Sequence, residues 1–132
     1  MRYIIGFLLI LSSCTLNQFT VNSNKNVTRP IQIVEGDSIV RANVWLGAAL
    51  KNTNCNTFYA WCYSNHINYT KGNYTGNLLH NEYTVQNIQT MNLITKGNYS
   101  KGVKNGKWYE WYTNGQLKQI SNWEKGLLQG EK

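Results

Sequence analysis

The feature that most restricts what this chain can fold into is a phrase it repeats. Leu78-Leu79-His80-Asn81-Glu82-Tyr83 recurs as Val103-Lys104-Asn105-Gly106-Lys107-Trp108 and again as Leu127-Leu128-Gln129-Gly130-Glu131-Lys132, so that Asn81, Gly106 and Gly130 are spaced by 25 and 24 residues. Lys71-Gly72-Asn73-Tyr74-Thr75 is echoed by Lys96-Gly97-Asn98-Tyr99-Ser100, and Tyr63-Ser64-Asn65-His66 by Tyr112-Thr113-Asn114-Gly115. A period of this length marks one supersecondary unit per repeat. A lone two-stranded hairpin is marginal in water, so such units must bury their surface against each other. The expected fold is therefore all-β, with successive antiparallel β-hairpins forming an elongated sheet. Turns are expected at Asn81, Gly106, Gly115 and Gly130, because hairpin turns need positive φ and Gly and Asn reach it most easily. His66 at the corresponding position is a larger departure than Asn81.

Upstream of the repeats, Ile31 to Val34 and Ser38 to Leu46 flank Glu35-Gly36-Asp37, which reads as a hairpin with a glycine turn. The second segment allows two readings. Its β-branched start favours strand, its Ala48-Ala49-Leu50-Lys51 end favours helix, and strand is preferred. Residues 31–62 are expected to form this N-terminal hairpin region, and residues 63–132 the degenerate repeats. Thr15 to Pro30 is rich in Asn, Thr and Ser with few apolar anchors, and reads as a flexible tether.

The first residues have a different logic. Met1 and Arg2 supply a positive end, Tyr3 to Leu11 is an apolar run, and Ser12-Ser13-Cys14 closes it with small residues. That run is far shorter than the roughly 20 residues that span a hydrocarbon core. It has the layout of a secretory signal over residues 1–13. Leu11-Ser12-Ser13-Cys14 resembles the lipobox of bacterial lipoproteins, in which the cysteine is acylated and becomes the first residue. That resemblance implies a lipid anchor on Cys14, a tether over residues 14–30, and a place in the cell envelope. Thr15 in the next position, where aspartate marks inner-membrane retention in enteric bacteria, points by the same resemblance to the outer membrane. The rival readings are a plain cleaved signal and a short uncleaved anchor.

Cys55 and Cys62 remain, and an even remainder in an exported chain suggests one disulfide. On a helix they would stand about 10 Å apart, beyond the roughly 7 Å of disulfide reach. A bond therefore requires a hairpin or loop around Phe58-Tyr59; two unpaired thiols packed as small hydrophobes are the alternative. No second cysteine pair or paired histidines stand at metal-ligand spacing, and no metal is expected.

Residues 96–132 resemble the variant of the MORN repeat found in the family labelled YwqK-type antitoxins. The resemblance rests on Tyr99, Gly102, Asn105-Gly106-Lys107-Trp108-Tyr109-Glu110-Trp111-Tyr112 and Asn114-Gly115-Gln116-Leu117-Lys118. It covers the last part of the chain well and residues 63–83 more degenerately, and does not reach residues 15–57. It implies a β-repeat fold that contacts proteins or lipids, and carries over no catalytic residues. A full repeat would continue past Gly130 with another aromatic strand. The expectation is a truncated product, or an edge that a partner or second copy covers.

The densest aromatic run is Trp108, Tyr109, Trp111 and Tyr112. Strand alternation puts Trp108, Glu110 and Tyr112 on one face and Tyr109 and Trp111 on the other. These rings are expected to form the core of a thin sheet, with a platform for a partner or for glycans as the sharper reading. His66 and His80 fall at turn positions and read as solvated loop residues. Asp37 is the only aspartate and the five glutamates fall singly, so no carboxylate pair, nucleophile–base pair or metal set is suggested. Gly102 to Lys107 has the wrong spacing for a phosphate loop, with Trp108 where Ser or Thr would hold magnesium. The formal charge of +7 is scattered, without the block of basic residues that a nucleic-acid arm would show. The sequence thus suggests a non-enzymatic, cofactor-free protein tethered to a membrane. It would serve as an interaction or scaffold module for an envelope protein, as an antitoxin against a cognate toxin, or as a glycan or peptidoglycan binder.

Overall fold

The computed structural model describes residues 27–130. Cys14, the expected signal and most of the tether lie outside the described residues, as do Glu131 and Lys132. The described chain is all-β. Its ten strands are β1 (Thr28–Glu35), β2 (Ser38–Trp45), β3 (Phe58–Tyr63), β4 (His66–Lys71), β5 (Asn77–Leu78), β6 (Asn81–Asn87), β7 (Leu93–Ser100), β8 (Val103–Trp111), β9 (Leu117–Glu124) and β10 (Leu127–Gln129). Seven of them form one elongated sheet in the order β1-β2-β6-β7-β8-β9-β10, and the other three a small sheet in the order β4-β3-β5. Among the described residues, neighbouring strands pair antiparallel throughout, as expected of stacked hairpins.

β1 and β2 pair from Thr28↔Trp45 to Glu35↔Ser38 around Gly36-Asp37, and Gly36 takes φ 56°. The strand begins at Thr28 and so takes in the last residues assigned to the tether. β2 alternates cleanly, with Val40, Ala42 and Val44 buried, the period-2 signature of a half-buried strand. It stops at Trp45, and the Ala-rich stretch that follows is irregular rather than helical. β2 then pairs directly with β6 (Ser38↔Asn87 to Arg41↔Thr84). The N-terminal hairpin and the repeats from β6 onward are thus parts of one sheet, and residue 62 falls within the β3–β4 hairpin rather than between two regions.

Residues 58–78 make the small sheet, which packs on one face of the large one; we call that the inner face. The two layers are stitched by backbone. Leu79 N–H donates to Ala60 O at 3.0 Å, Ala60 N–H to Gly102 O at 2.7 Å, and Gly102 N–H to Leu79 O at 2.7 Å. So close a triangle requires a glycine at position 102, where a Cβ would lie 2.6 Å from Leu78 Cδ2. Leu78 and Leu79 are both fully buried although they are neighbours, because the chain crosses from the small sheet to a bridge with Val44 of β2 between them. The core runs from Ile33, Val40 and Val44 past Ala60 and Leu79 to Tyr83, Tyr99 and Trp108.

The period in the sequence is real, but its turns lie elsewhere than expected. Asn81 and Gly106 do share a left-handed conformation (φ 66° and 77°). Asn81, however, opens β6, and Gly106 lies inside β8. On the β7 side, only Gly97 lies between the paired residues Lys96 and Asn98, whereas Gly106, Lys107 and Trp108 lie between Asn105 and Tyr109. Gly106 therefore kinks a bulged strand instead of capping a hairpin. Beyond β2 the two-residue turns are Ser64-Asn65, Lys101-Gly102 and Lys125-Gly126, each with positive φ at both positions, as a type I′ turn demands. Gly115 is a turn residue, at φ 88° with its N–H donating to Tyr112 O at 3.0 Å. Gly130 simply follows β10. Lys71-Gly72 and Lys96-Gly97, identical in sequence, are not equivalent in structure. Gly72 turns the chain after β4 at φ 83°, while Gly97 lies within β7.

Candidate functional site

Cross-strand register shows which side chains share a face. One row runs Ile33, Val40, Val85, Thr95, Glu110, Gln119 across the inner face, and the adjacent row runs Gln32, Arg41, Thr84, Lys96, Tyr109, Ile120 across the outer. The two rows trade character along the sheet. The inner row is apolar on β1, β2 and β6 and polar on β8 and β9, whereas the outer row is polar first and apolar last. Val34 is an exposed apolar residue at the far corner of the outer face, on β1.

The aromatic run on β8 divides accordingly. Trp108 is 3% exposed and lies in the core, its Nε1 donating to Asn98 O at 3.1 Å. It meets Tyr99 edge-on at 4.9 Å and Tyr83 at 5.7 Å, while Tyr83 and Tyr99 meet at 5.4 Å and 89°. Burial, above all, pushes the Tyr83 and Tyr99 phenols well above their ordinary range. Tyr109 and Trp111 lie half-buried on the opposite face, stacked at 5.8 Å and 16°. Tyr112 is exposed with the Lys118 ammonium 5.9 Å from its ring. Of the four residues expected to work together, Trp108 is structural and Tyr109 and Trp111 form the accessible pair. Ile120, opposite Tyr109, and Leu117, opposite Trp111, are 52% and 49% exposed, and extend an apolar patch along β8 and β9.

A second feature was not foreseen. Phe58, Ala60 and Tyr69 of the small sheet face Tyr99, Gly102, Lys104, Trp123 and Gly126 of the large one across a groove of about 230 Å³. Lys104 is among its lining residues, with its ammonium 4.6 Å from the Trp108 ring and 4.7 Å from the Trp123 ring. Burial lowers its pKa, and the Glu110 carboxylate pulls the other way. Tyr99 Oη donates to Tyr69 Oη at 3.3 Å inside the same groove. The sequence carried no signal for this site, because Phe58 and Tyr69 come from the excursion that forms the small sheet.

The two histidines behave differently from each other. His66 is exposed at the start of β4. His80, expected to be solvated, is buried at 8% exposure. Its Nδ1 accepts from Lys101 N–H at 2.9 Å and its ring lies 5.0 Å from that of Trp45. Burial and then the Lys101 charge lower its pKa, so the neutral acceptor form is the one that fits.

Cys55 and Cys62 are free thiols, and the expected bond is not formed. It required a reversal near Phe58-Tyr59, but Phe58–Tyr63 is one extended strand. Cys55 therefore precedes its start and Cys62 lies near its end, with strand rising about 3.3 Å per residue between them. Burial raises the Cys62 pKa, opposed by Arg29. Among the described residues, no group of three or more His, Cys, Asp or Glu could hold a metal ion, and no helix is long and apolar enough to cross a membrane. The chain matches no protein-family model, no curated protein and no solved structure.

Proposed function

We propose that this protein is an interaction module whose contact surface is the outer face of β8 and β9, and that acylation of Cys14 holds it at the cell envelope. The observation that carries the interaction reading is the exchange of polarity along the sheet. Tyr109, Trp111, Leu117 and Ile120 gather apolar surface on the face turned away from the small sheet. A contiguous exposed apolar patch of this kind on a folded domain is most often a contact surface. Stacked aromatics add rigid area at low entropic cost. The resemblance of residues 96–132 to the MORN variant supports the same reading, and the small-residue closure before Cys14 supports the anchor. The partner is an envelope protein; a toxin at the same surface would place the chain among antitoxins.

The test is a photo-crosslinking amino acid placed at Trp111 or, as a control at the polar end of the same face, at Gln32. The expected result is a discrete adduct from position 111 alone, which disappears with Tyr109→Ala. Equal labelling from both positions, or none from position 111, overturns the proposed surface. Fractionation of Cys14→Ser tests the anchor separately, because unchanged membrane association removes the lipid from the proposal and leaves the surface standing.

A further inference from the structure

The groove between the two sheets has a composition that the outer patch lacks. The rings of Phe58, Tyr69, Tyr99 and Trp123 line it together with the small residues Ala60, Gly102 and Gly126, and Lys104 is the one charged residue among its described lining residues. We propose that this groove binds an acidic saccharide, with a pyranose ring against the aromatic walls and its carboxylate on the Lys104 ammonium.

Three observations lead there. The volume of about 230 Å³ lies below the ~300–1,000 Å³ of sites for drug-sized molecules, and suits a single ring. Phe58 and Tyr69, 62% and 53% exposed, present ring surface to solvent at the rim, where the apolar face of a sugar can stack. The ammonium already lies close to two indoles, and an anion supplies the charge-assisted hydrogen bonds that π-faces cannot. A wholly apolar ligand would desolvate that ammonium further, at a cost that the through-space attraction of the Glu110 carboxylate only partly offsets. An inorganic anion would leave the rings unused. The Tyr69–Tyr99 hydroxyl pair offers a polar contact for a ring hydroxyl. The carboxylate could belong to a lactyl ether, as in muramic acid, or to the C6 position of a hexuronate; both present one carboxylate on one pyranose. This site is on the opposite side of the sheet from the outer patch and stands without the protein-interaction reading.

The test titrates the full chain with a muramyl disaccharide and with trigalacturonate, following tryptophan fluorescence and calorimetry. The methyl ester of each acid serves as its uncharged control. At least one acid should bind, with the ester weaker by about tenfold or more, as loss of a charge-assisted contact predicts. Which acid binds identifies the source. Lys104→Gln should weaken binding by about tenfold while Lys104→Arg keeps most of it. Phe58→Ala, at an exposed rim position that leaves the core intact, should also weaken it, and Tyr109→Ala should not. The proposal is overturned if neither acid binds, if an acid that binds does so no better than its own ester, or if a folded Lys104→Gln binds as the wild type does. It is equally overturned if Tyr109→Ala, rather than Phe58→Ala, removes binding.

Discussion

The indole of Trp108 occupies the space that a side chain at position 97 would need: a Cβ built on Gly97 would lie 2.2 Å from Trp108 Cδ2. The two residues face each other where β8 bulges past β7, so the bulge and the missing side chain together seat the largest ring of the core. Gly97→Ala should therefore destabilise the fold by about 1–3 kcal/mol through overpacking, and Trp108→Ala by about 3–5 kcal/mol through a cavity. Urea denaturation of both single variants and the double variant checks this. The coupling should be plainly non-additive, because the alanine at 97 has nothing to strike once the indole is gone.

Glycines with positive φ should separate into two classes. Gly106 (φ 77°) has no atom within 4 Å of a built Cβ, whereas Gly102 (φ 87°) has Leu78 Cδ2 at 2.6 Å and Ala60 O at 3.3 Å. Gly106→Ala should cost about 1–2 kcal/mol, the strain of a left-handed L-residue alone. Gly102→Ala should cost about 2 kcal/mol more, because it also drives apart the backbone triangle between the sheets. Equal midpoints in denaturant for the two variants would refute this distinction.

His80 makes stability depend on pH. Its folded pKa is lowered, so the unfolded chain binds protons more readily than the folded one below the ordinary histidine value of about 6.5. Its contribution is fully present above that value and is lost as pH falls through the lower folded pKa. Acid also removes the Nδ1 lone pair that accepts the Lys101 N–H. Denaturation curves at neutral and mildly acidic pH should show wild-type stability falling with acid, and His80→Gln should show a flatter response over that interval.

Cys55 and Cys62 should react unequally. Cys55 is exposed, whereas Cys62 is half-buried with a pKa raised by burial, which lowers its thiolate fraction and access together. In a Cys14→Ser background, a thiol-reactive chromophore should label the native chain in two phases, fast at Cys55 and slow at Cys62. Cys55→Ser should remove the fast phase.

Alternation was the most legible part of the fold. The run through Val40, Ala42 and Val44 and the split of Trp108 from Tyr109 follow from the two-residue period of a strand, and both stand in the structure. Turn positions were less legible. Asn105-Gly106 is a strong local hairpin signal, yet the pairing of Gly106 with Trp123 on β9 keeps it inside a strand. Lys101-Gly102 and Lys125-Gly126, with weaker turn chemistry, carry the reversals. The burial of His80 is illegible in the sequence for a related reason, since only the return of the chain from the small sheet brings it under Trp45.

The sequence by itself determined that this protein is built of stacked antiparallel hairpins, because a residue period and a face alternation are local properties that packing can use but hardly reverse. Only the tertiary structure decided where the period turns and kinks, which aromatic rings are core and which are surface, and that Phe58, Tyr69, Lys104 and Trp123 share a groove. Those outcomes depend on β2 pairing with β6 across the excursion that forms the small sheet. That long-range pairing brings together residues far apart in the chain, and no local pattern in the sequence encodes it.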